Sequence, residues 1–308
     1  MEDETAGDPM TGVKWTHRTT EKISGQLKLI GVNVSRNTVG RLLSELDFSL
    51  KVNHKKLSKG TKTARATRDQ QFIILGVARK KFAALGNPVI SVDTKKKELI
   101  GNFKNPGQTW RQKARAVNDH DFKSDSDGKG VPYGIYDCLA NRGCVVLGNS
   151  SDTGEFAVAS IEKWWMSEGQ KKYRGAKKLL ILADAGGSNS YRSRLWKFEV
   201  QRNLCNVHGL TVTVSHYPPG ASKWNPIEHR LFSEISKNWA GTPLDSFETA
   251  LKYIRTTKTK TGLRVSAHLK QGAYQKGIKI TDQQMAELNI KPHELLPQLN
   301  YTIRPNKM

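Results

Sequence analysis

The sequence predicts an α/β protein in which a mixed, largely parallel sheet is flanked by helices and preceded by a small helical segment. Three observations carry this reading. Short apolar runs at Val89–Asp93, Leu179–Asp184 and Leu210–Tyr217 alternate with helical patterns, as parallel strands joined by crossover helices do. Two further runs, Tyr133–Leu139 and Cys144–Asn149, are joined across Asn141-Arg142-Gly143 as an antiparallel hairpin, which makes the sheet mixed. Ahead of them lie two short helical patterns separated by a glycine-containing turn.

Residues 1–18 read as an acidic leader. Glu2, Asp3, Glu4 and Asp8 replace the basic start and apolar run of a secretory signal. From Thr19 the spacing of Ile23, Leu27 and Ile30 is helical, and Gly31 is a suitable stop. Ser35 then caps a second helix with Val39, Leu42, Leu43 and Leu46 on one face. Residues 19–50 thus fit a helix-turn-helix, with Arg36, Asn37, Thr38 and Arg41 placed for base-edge contacts; an ordinary helical hairpin fits the same pattern. Residues 51–68 form a basic linker with Lys55 and Lys56 near its centre, read either as a strap along DNA phosphates or as a solvated connector.

A core domain is expected over 69–260. It opens with a helix near 69–85 (Phe72, Ile73, Val77, Phe82) that stops at Gly86-Asn87-Pro88. The strand Val89–Asp93 follows, then a hairpin through Glu98–Phe103 and a long polar excursion. After the hairpin strands come a helix near 153–167, the strand ending at Asp184, and a glycine turn into a helix reaching Asn206. The strand ending at Tyr217 is broken by Pro218-Pro219-Gly220. Asn225 opens a helix with Ile227, Leu231, Ile235 and Trp239 at steps of four, and another helix lies near 245–255. Residues 261–308 read as a C-terminal extension, in which only the capped start at Thr281 is legible.

Charge narrows the function. Among 308 residues, 50 Lys plus Arg against 28 Asp plus Glu give 50 − 28 = +22, which points to a polyanion such as nucleic acid. No run of ~18 apolar residues exists to cross a membrane. Three scattered cysteines argue against a disulfide scaffold or a zinc cluster.

The informative constellation is Asp93, Asp184 and Glu228. The first two end buried-type strands, at the sheet edge where α/β proteins bind ligands. Neighbouring strands lie ~4.8 Å apart, so such carboxylates share a site and repel unless a divalent cation joins them. Each Asp alone also fits a turn or cap. Asn225-Pro226-Ile227-Glu228 likewise reads as a capping-box-like helix start. Lys95, Lys96, Lys97, Lys223 and Arg230 are candidates for phosphate contacts or for plain solvated charge. His229, about 100° around a helix from Glu228, and His216 are weaker candidates for the metal. Trp164, Trp165 and Trp239 read as core, and Gly186-Gly187 lacks the Gly-Lys-Ser/Thr of a P-loop.

Several stretches carry a resemblance. Pro218 through His229 resembles the proline turn and Asn-Pro-Ile-Glu signature of DDE transposases related to the Tc/mariner superfamily. Ser91–Phe103, Ala183–Asn189 and Ser222–Ser233 resemble more closely the ISAzo-type (Rhodopirellula-type) bacterial insertion-sequence transposases, and the likeness covers about residues 15–305. The resemblance implies a ribonuclease-H-like core with Asp93, Asp184 and Glu228 as catalytic and metal-holding triad. The spacings are 184 − 93 = 91 and 228 − 184 = 44 residues, the second wider than is usual in Tc/mariner relatives. It further implies two Mg²⁺ ions per site, replaceable by Mn²⁺. The implied partner is double-stranded DNA, both inverted-repeat ends and target, bound by a homo-oligomer in the cytoplasm at the nucleoid. A catalytically silent or truncated DNA-binding derivative and a nuclease without strand joining remain as other readings.

Overall fold

β-Branched and aliphatic runs become strands because their side chains pack on both faces of a sheet, while helix caps and glycine stops set the helix ends. The structure, a computed structural model, describes residues 5–7, 14–16, 19–50, 65–118 and 123–306. It divides into two units, Met1–Lys62 and Thr63–Met308.

In the first unit, β1 (Thr5–Gly7) and β2 (Lys14–Thr16) pair antiparallel within the stretch expected as a leader. Helix α1 (Thr20–Leu29) starts where the Thr19 hydroxyl accepts the Lys22 N–H at 3.2 Å. It ends at Gly31 (φ 84°), where Val32 N–H reaches the Leu27 carbonyl in a Schellman closure. Ser35 caps α2 (Arg36–Glu45), accepting the Thr38 N–H at 3.1 Å. Ile23 and Val39 are buried, whereas Ile30, Leu42 and Leu46 of the expected stripes are exposed.

The second unit opens with α3 (Arg65–Ala84), which begins inside the expected linker. Its buried face also differs from the predicted stripe: Ile73 and Val77 are exposed, and Gln71, Leu75 and Phe82 face inward. The reason is polar. The Gln71 amide donates to the His216 carbonyl at 2.7 Å and exchanges hydrogen bonds with the buried Asn300 side chain at 3.0 and 2.7 Å. A satisfied amide thus takes the place that apolar periodicity assigned to hydrocarbon.

Then follow β3 (Val89–Thr94), β4 (Glu98–Ile100), β5 (Gly128–Asp137) and β6 (Arg142–Gly148). Helix α4 (Gly154–Trp164) runs through a π-turn, Trp165–Gly169, into α5 (Gln170–Lys172), and β7 (Lys178–Ala183) comes next. Helix α6 (Arg194–Glu199) continues as a π-turn to Asn206 before β8 (Thr211–His216). A π-turn at Glu228–Phe232 leads into α7 (Ser233–Asn238), followed by α8 (Phe247–Thr256), β9 (Arg264–Lys270), α9 (Asp282–Ala286), β10 (Ile290–Pro292) and β11 (Asn300–Ile303).

Among the described residues one sheet has the order β10-β11-β8-β7-β3-β5-β6-β9, with β4 beside β5. Parallel pairing holds for β3–β7, β7–β8 and β6–β9, and the other pairs are antiparallel, so the sheet is less parallel than its apolar runs suggest. The central five strands, β6-β5-β3-β7-β8, follow the ribonuclease-H-like order that the resemblance implies. Residues 261–308 supply β9 at one edge and β10–β11 at the other.

Side chains alternate between two packed faces. Val92, Ile135, Ile181 and Val212 share a core with Trp164 of α4, Trp165 of the π-turn and Trp196 of α6. On the other face Tyr136, Val145 and Leu147 meet Ile227, Leu231, Ile235 and Trp239, while Leu180 and Leu182 meet α3. Trp164, Trp165 and Trp239, expected as core, are buried, each such side chain worth ~1.5–3 kcal/mol or more on burial.

Gly134 in β5 is where this packing leaves no room. A Cβ there would stand 2.4 Å from the Phe232 ring and 2.9 Å from Ile227. Gly134→Ala is expected to cost ~1–3 kcal/mol by overpacking, read as a lower Tm, whereas Gly76→Ala, which meets open space on α3, leaves Tm unchanged or raises it.

Candidate active site and nucleic-acid contacts

The site grows out of the strand register. Val92 of β3 pairs in parallel with Ala183 of β7, so the next residues, Asp93 and Asp184, stand side by side at the carboxyl ends of adjacent strands. Glu228 arrives from another part of the chain, and Asn225 explains how. That side chain is buried; its amide donates to the Val92 carbonyl at 3.3 Å and its oxygen accepts from the Ser91 hydroxyl. Ser91 Oγ in turn accepts the Ile227 N–H at 3.2 Å. Asn225 stands at the expected helix start, its carbonyl accepting the Glu228 N–H at 3.1 Å, but its side chain fastens the turn to β3 one residue from Asp93, so the expected capping box does not close. Beyond it, Glu228 opens a π-turn, and Ile227, Leu231, Ile235 and Trp239 form the buried stripe expected of them.

Each aspartate is held by local bonds. Asp93 Oδ1 accepts its neighbour's Thr94 N–H at 2.7 Å. Asp184 Oδ1 accepts Gly186 N–H at 3.2 Å and the Asn189 amide at 3.4 Å, the glycine turn wrapping the carboxylate. The Asp184 backbone is fixed as well. The indole of Trp196 donates to the Tyr301 hydroxyl at 2.9 Å, Tyr301 donates to His216 Nε2 at 3.2 Å, and His216 Nδ1–H donates to the Asp184 carbonyl at 2.9 Å. Burial depresses the His216 pKa to about 4, so the ring is neutral and serves as a bracket, with no nitrogen left for a metal.

The three acids are electrostatically coupled. Asp93 is pushed up to about 8, first by burial, then by Asp184, with further contributions from Glu228 and Asp152. Asp184 is raised by burial and Asp152, and Glu228 by burial and Asp184, against the lowering influence of His229 and Lys95.

Asp152 is a fourth carboxylate that the sequence reading missed. It accepts the Thr94 hydroxyl at 3.0 Å. It lies between β6 and the Thr153 cap of α4, separated from the apolar run by Asn149-Ser150-Ser151, so no run closed by a carboxylate marked it. The buried Tyr133 hydroxyl, which has no hydrogen-bond partner among the described residues, feels Asp93, Asp152 and Asp184.

The remaining predicted residues divide. Lys95 is largely committed, pairing with Glu98 at 2.5 Å and lying 4.6 Å over the Trp239 ring, while Lys96 and Lys97 are exposed. Lys223 and Arg230 are exposed beside Glu228 in sequence. His229 Nε2 donates to the Lys223 carbonyl and so is not aimed at the acids. In the first unit Arg36 and Asn37 at the start of α2 are exposed, Thr38 is half-buried against the Ser35 cap, and Arg41 pairs with Glu45 at 3.6 Å. Lys55 and Lys56 lie outside the described residues.

The family described as Rhodopirellula transposase DDE domain matches residues 1–305. The chain belongs to this family. No curated protein matches it. Solved structures similar to this transposase-family chain include the Mos1 transposase paired-end complex with left transposon end, at 16% identity, 77% of this chain, 65% of that chain and TM-score 0.43. The Mos1 Strand Transfer Complex gives 16%, 77%, 64% and 0.46, and the Mos1 mariner paired end complex with Mn gives 15%, 77%, 65% and 0.44. The chain thus spans about 65% of the length of the Mos1 chain in the paired-end complex.

The donor set of this DDE family member suits a hard divalent cation. Its acids offer only oxygen, they crowd one strand edge, and each is pushed toward its protonated form in the protein alone. Among the described residues no helix is long and apolar enough to cross a membrane.

A pH dependence follows from Asp93. Its folded pKa stands above that of the unfolded chain, so its contribution to stability is full below ~4 and is lost as pH rises through about 8. In chelator the Tm is therefore expected to fall over that window. Thermal scans should show a shallower fall in Asp93→Asn, and added Mg²⁺ should restore Tm at the alkaline end in the wild type only.

Proposed function

We propose that this chain is a DDE transposase that cleaves and joins the DNA ends of an insertion sequence, with Asp93, Asp184 and Glu228 as its catalytic residues. The single observation that carries this is the side-by-side placement of Asp93 and Asp184 on parallel strand ends, electrostatically coupled to Glu228, in a chain of this family. Two Mg²⁺ ions, or Mn²⁺ in their place, would activate a water or 3′-hydroxyl for in-line attack and stabilise the leaving oxygen.

The chain's own residues do the rest. Asp93 and Asp184 present carboxylate oxygens from a rigid edge. Asn225 and Ser91 hold the Glu228 turn against β3. Exposed Lys96, Lys97, Lys223 and Arg230 offer cations to the phosphates on either side of the scissile bond. No covalent protein–DNA bond is needed, so no serine or tyrosine nucleophile is required. In the first unit the exposed Arg36, Asn37 and Arg41, with Thr38, would meet base edges of the inverted repeat from the start of α2, as helix-turn-helix segments do. Lys55 and Lys56 would follow the backbone between this segment (19–50) and the catalytic domain (69–260, with 261–308 attached). The chain would act as a homo-oligomer on paired ends and target DNA, in the cytoplasm at the nucleoid.

The test is cleavage and joining of duplex DNA carrying the inverted repeats that flank the reading frame. Cleavage is expected with Mg²⁺ or Mn²⁺ and should fall by at least ~10²-fold in folded Asp93→Asn, Asp184→Asn and Glu228→Gln, with gel-shift binding retained. A folded wild type that binds these ends but cuts with neither metal would replace this reading by that of a catalytically silent DNA-binding derivative.

A further inference from the structure

A second cluster of metal-ligand chemistry lies two strands away from Asp93, across β5. Cys144 of β6 pairs with Ser266 of the parallel edge strand β9, and His268 lies two residues further along β9. Period-two alternation therefore puts Cys144 and His268 on the same face of the sheet. The π-turn after α4 brings a carboxylate down to that face, where Glu168 accepts a hydrogen bond from the Ser266 hydroxyl. One donor atom each of Cys144, Glu168 and His268 lies within 4.8 Å of the others. A second observation points to a ligand. His268 Nε2 is buried and has no hydrogen-bond partner among the described residues. A buried imidazole nitrogen normally finds a partner, and a metal ion is one.

We propose that Cys144, Glu168 and His268 form a second metal site, for a borderline-soft divalent cation of the Zn²⁺ class. A thiolate, an imidazole and a carboxylate are the donors that Zn²⁺ takes, whereas Mg²⁺ takes oxygen. Three protein donors leave a fourth position for water. An opening of about 770 Å³, lined among others by Glu168, Ser266 and Arg255, reaches the Glu168 side of the cluster. The surroundings suit the imidazole: burial, Lys163 and Arg255 all hold His268 below its ordinary pKa, in the neutral form that ligates. Arg255 is itself turned to the Ala267 carbonyl at 3.0 and 2.9 Å. The Cys144 thiol, raised to about 12 by burial, gives up its proton to the solvent when the ion binds. The ion then clips the edge strand β9 and the π-turn to β6. The sparse cysteines argued against a zinc cluster, and this proposal departs from that reading because the other two ligands stand on a turn and an edge strand.

The experiment uses the full chain carrying Asp93→Asn, Asp184→Asn and Glu228→Gln, so that the triad no longer competes for cations. Co²⁺ is titrated while the near-ultraviolet thiolate-to-Co²⁺ absorption is followed, and Zn²⁺ or Mg²⁺ is then added as competitor. The expected result is a thiolate band that saturates at one equivalent, is displaced by Zn²⁺ and not by Mg²⁺, and disappears in Cys144→Ser. His268→Ala, at a half-buried edge-strand position, should keep the fold and weaken Co²⁺ binding by more than ~10-fold. A folded protein with no thiolate band at excess Co²⁺ overturns the proposal. So does a band that survives in Cys144→Ser, or one unchanged in His268→Ala.

Discussion

Negative charge crowded onto one sheet edge is the constraint around which this molecule is built. Parallel pairing of β3 and β7 sets Asp93 and Asp184 on neighbouring strand ends, and Glu228 and Asp152 add to the same field. Burial disfavours the ionised form of each of Asp93, Asp184 and Glu228, and the neighbouring carboxylates add to it, so all three pKa values are raised. A cluster of this kind persists only where the surrounding structure holds it.

That surrounding structure is drawn from the whole second unit. The Trp196–Tyr301–His216 chain ends on the Asp184 backbone, and Tyr301 comes from β11 near the end of the sequence. Gln71 of α3 holds the other side of the same hub through the His216 carbonyl and Asn300. Glu228 is located by Asn225 and Ser91. Each support is a satisfied buried polar contact, of the sort that fixes one arrangement among several apolar packings of equal volume. The braces of the site belong to the core, which is what the proposed in-line chemistry asks of a protein.

Much of this was legible in the residues. The strands ending at Asp93 and Asp184 announce themselves as apolar runs closed by a carboxylate, and the Ser35 cap and the Gly31 stop stand where expected. Other features were hidden, three of them for a clear physical reason. The α3 face was misread because Gln71 is polar and yet buried, its partners lying 145 and 229 residues away. Asn225 looked like a local cap because its bonds to Ser91 and Val92 are long-range. The strands of 261–308 escaped notice because edge strands such as β9 and β10 carry exposed polar residues and give no continuous apolar run. Periodicity reports the burial of hydrocarbon; it does not report a polar group whose partner is distant in sequence.

The central claim is that the crowded carboxylates are a cation site, and anomalous diffraction from crystals of the wild-type chain soaked in Mn²⁺ addresses it directly. The account predicts an anomalous peak between the Asp93 and Asp184 carboxylates, at ~2.0–2.6 Å from their oxygens, that is absent from crystals of Asp184→Asn. Well-diffracting crystals with Mn²⁺ bound elsewhere and no peak between these two residues would contradict it.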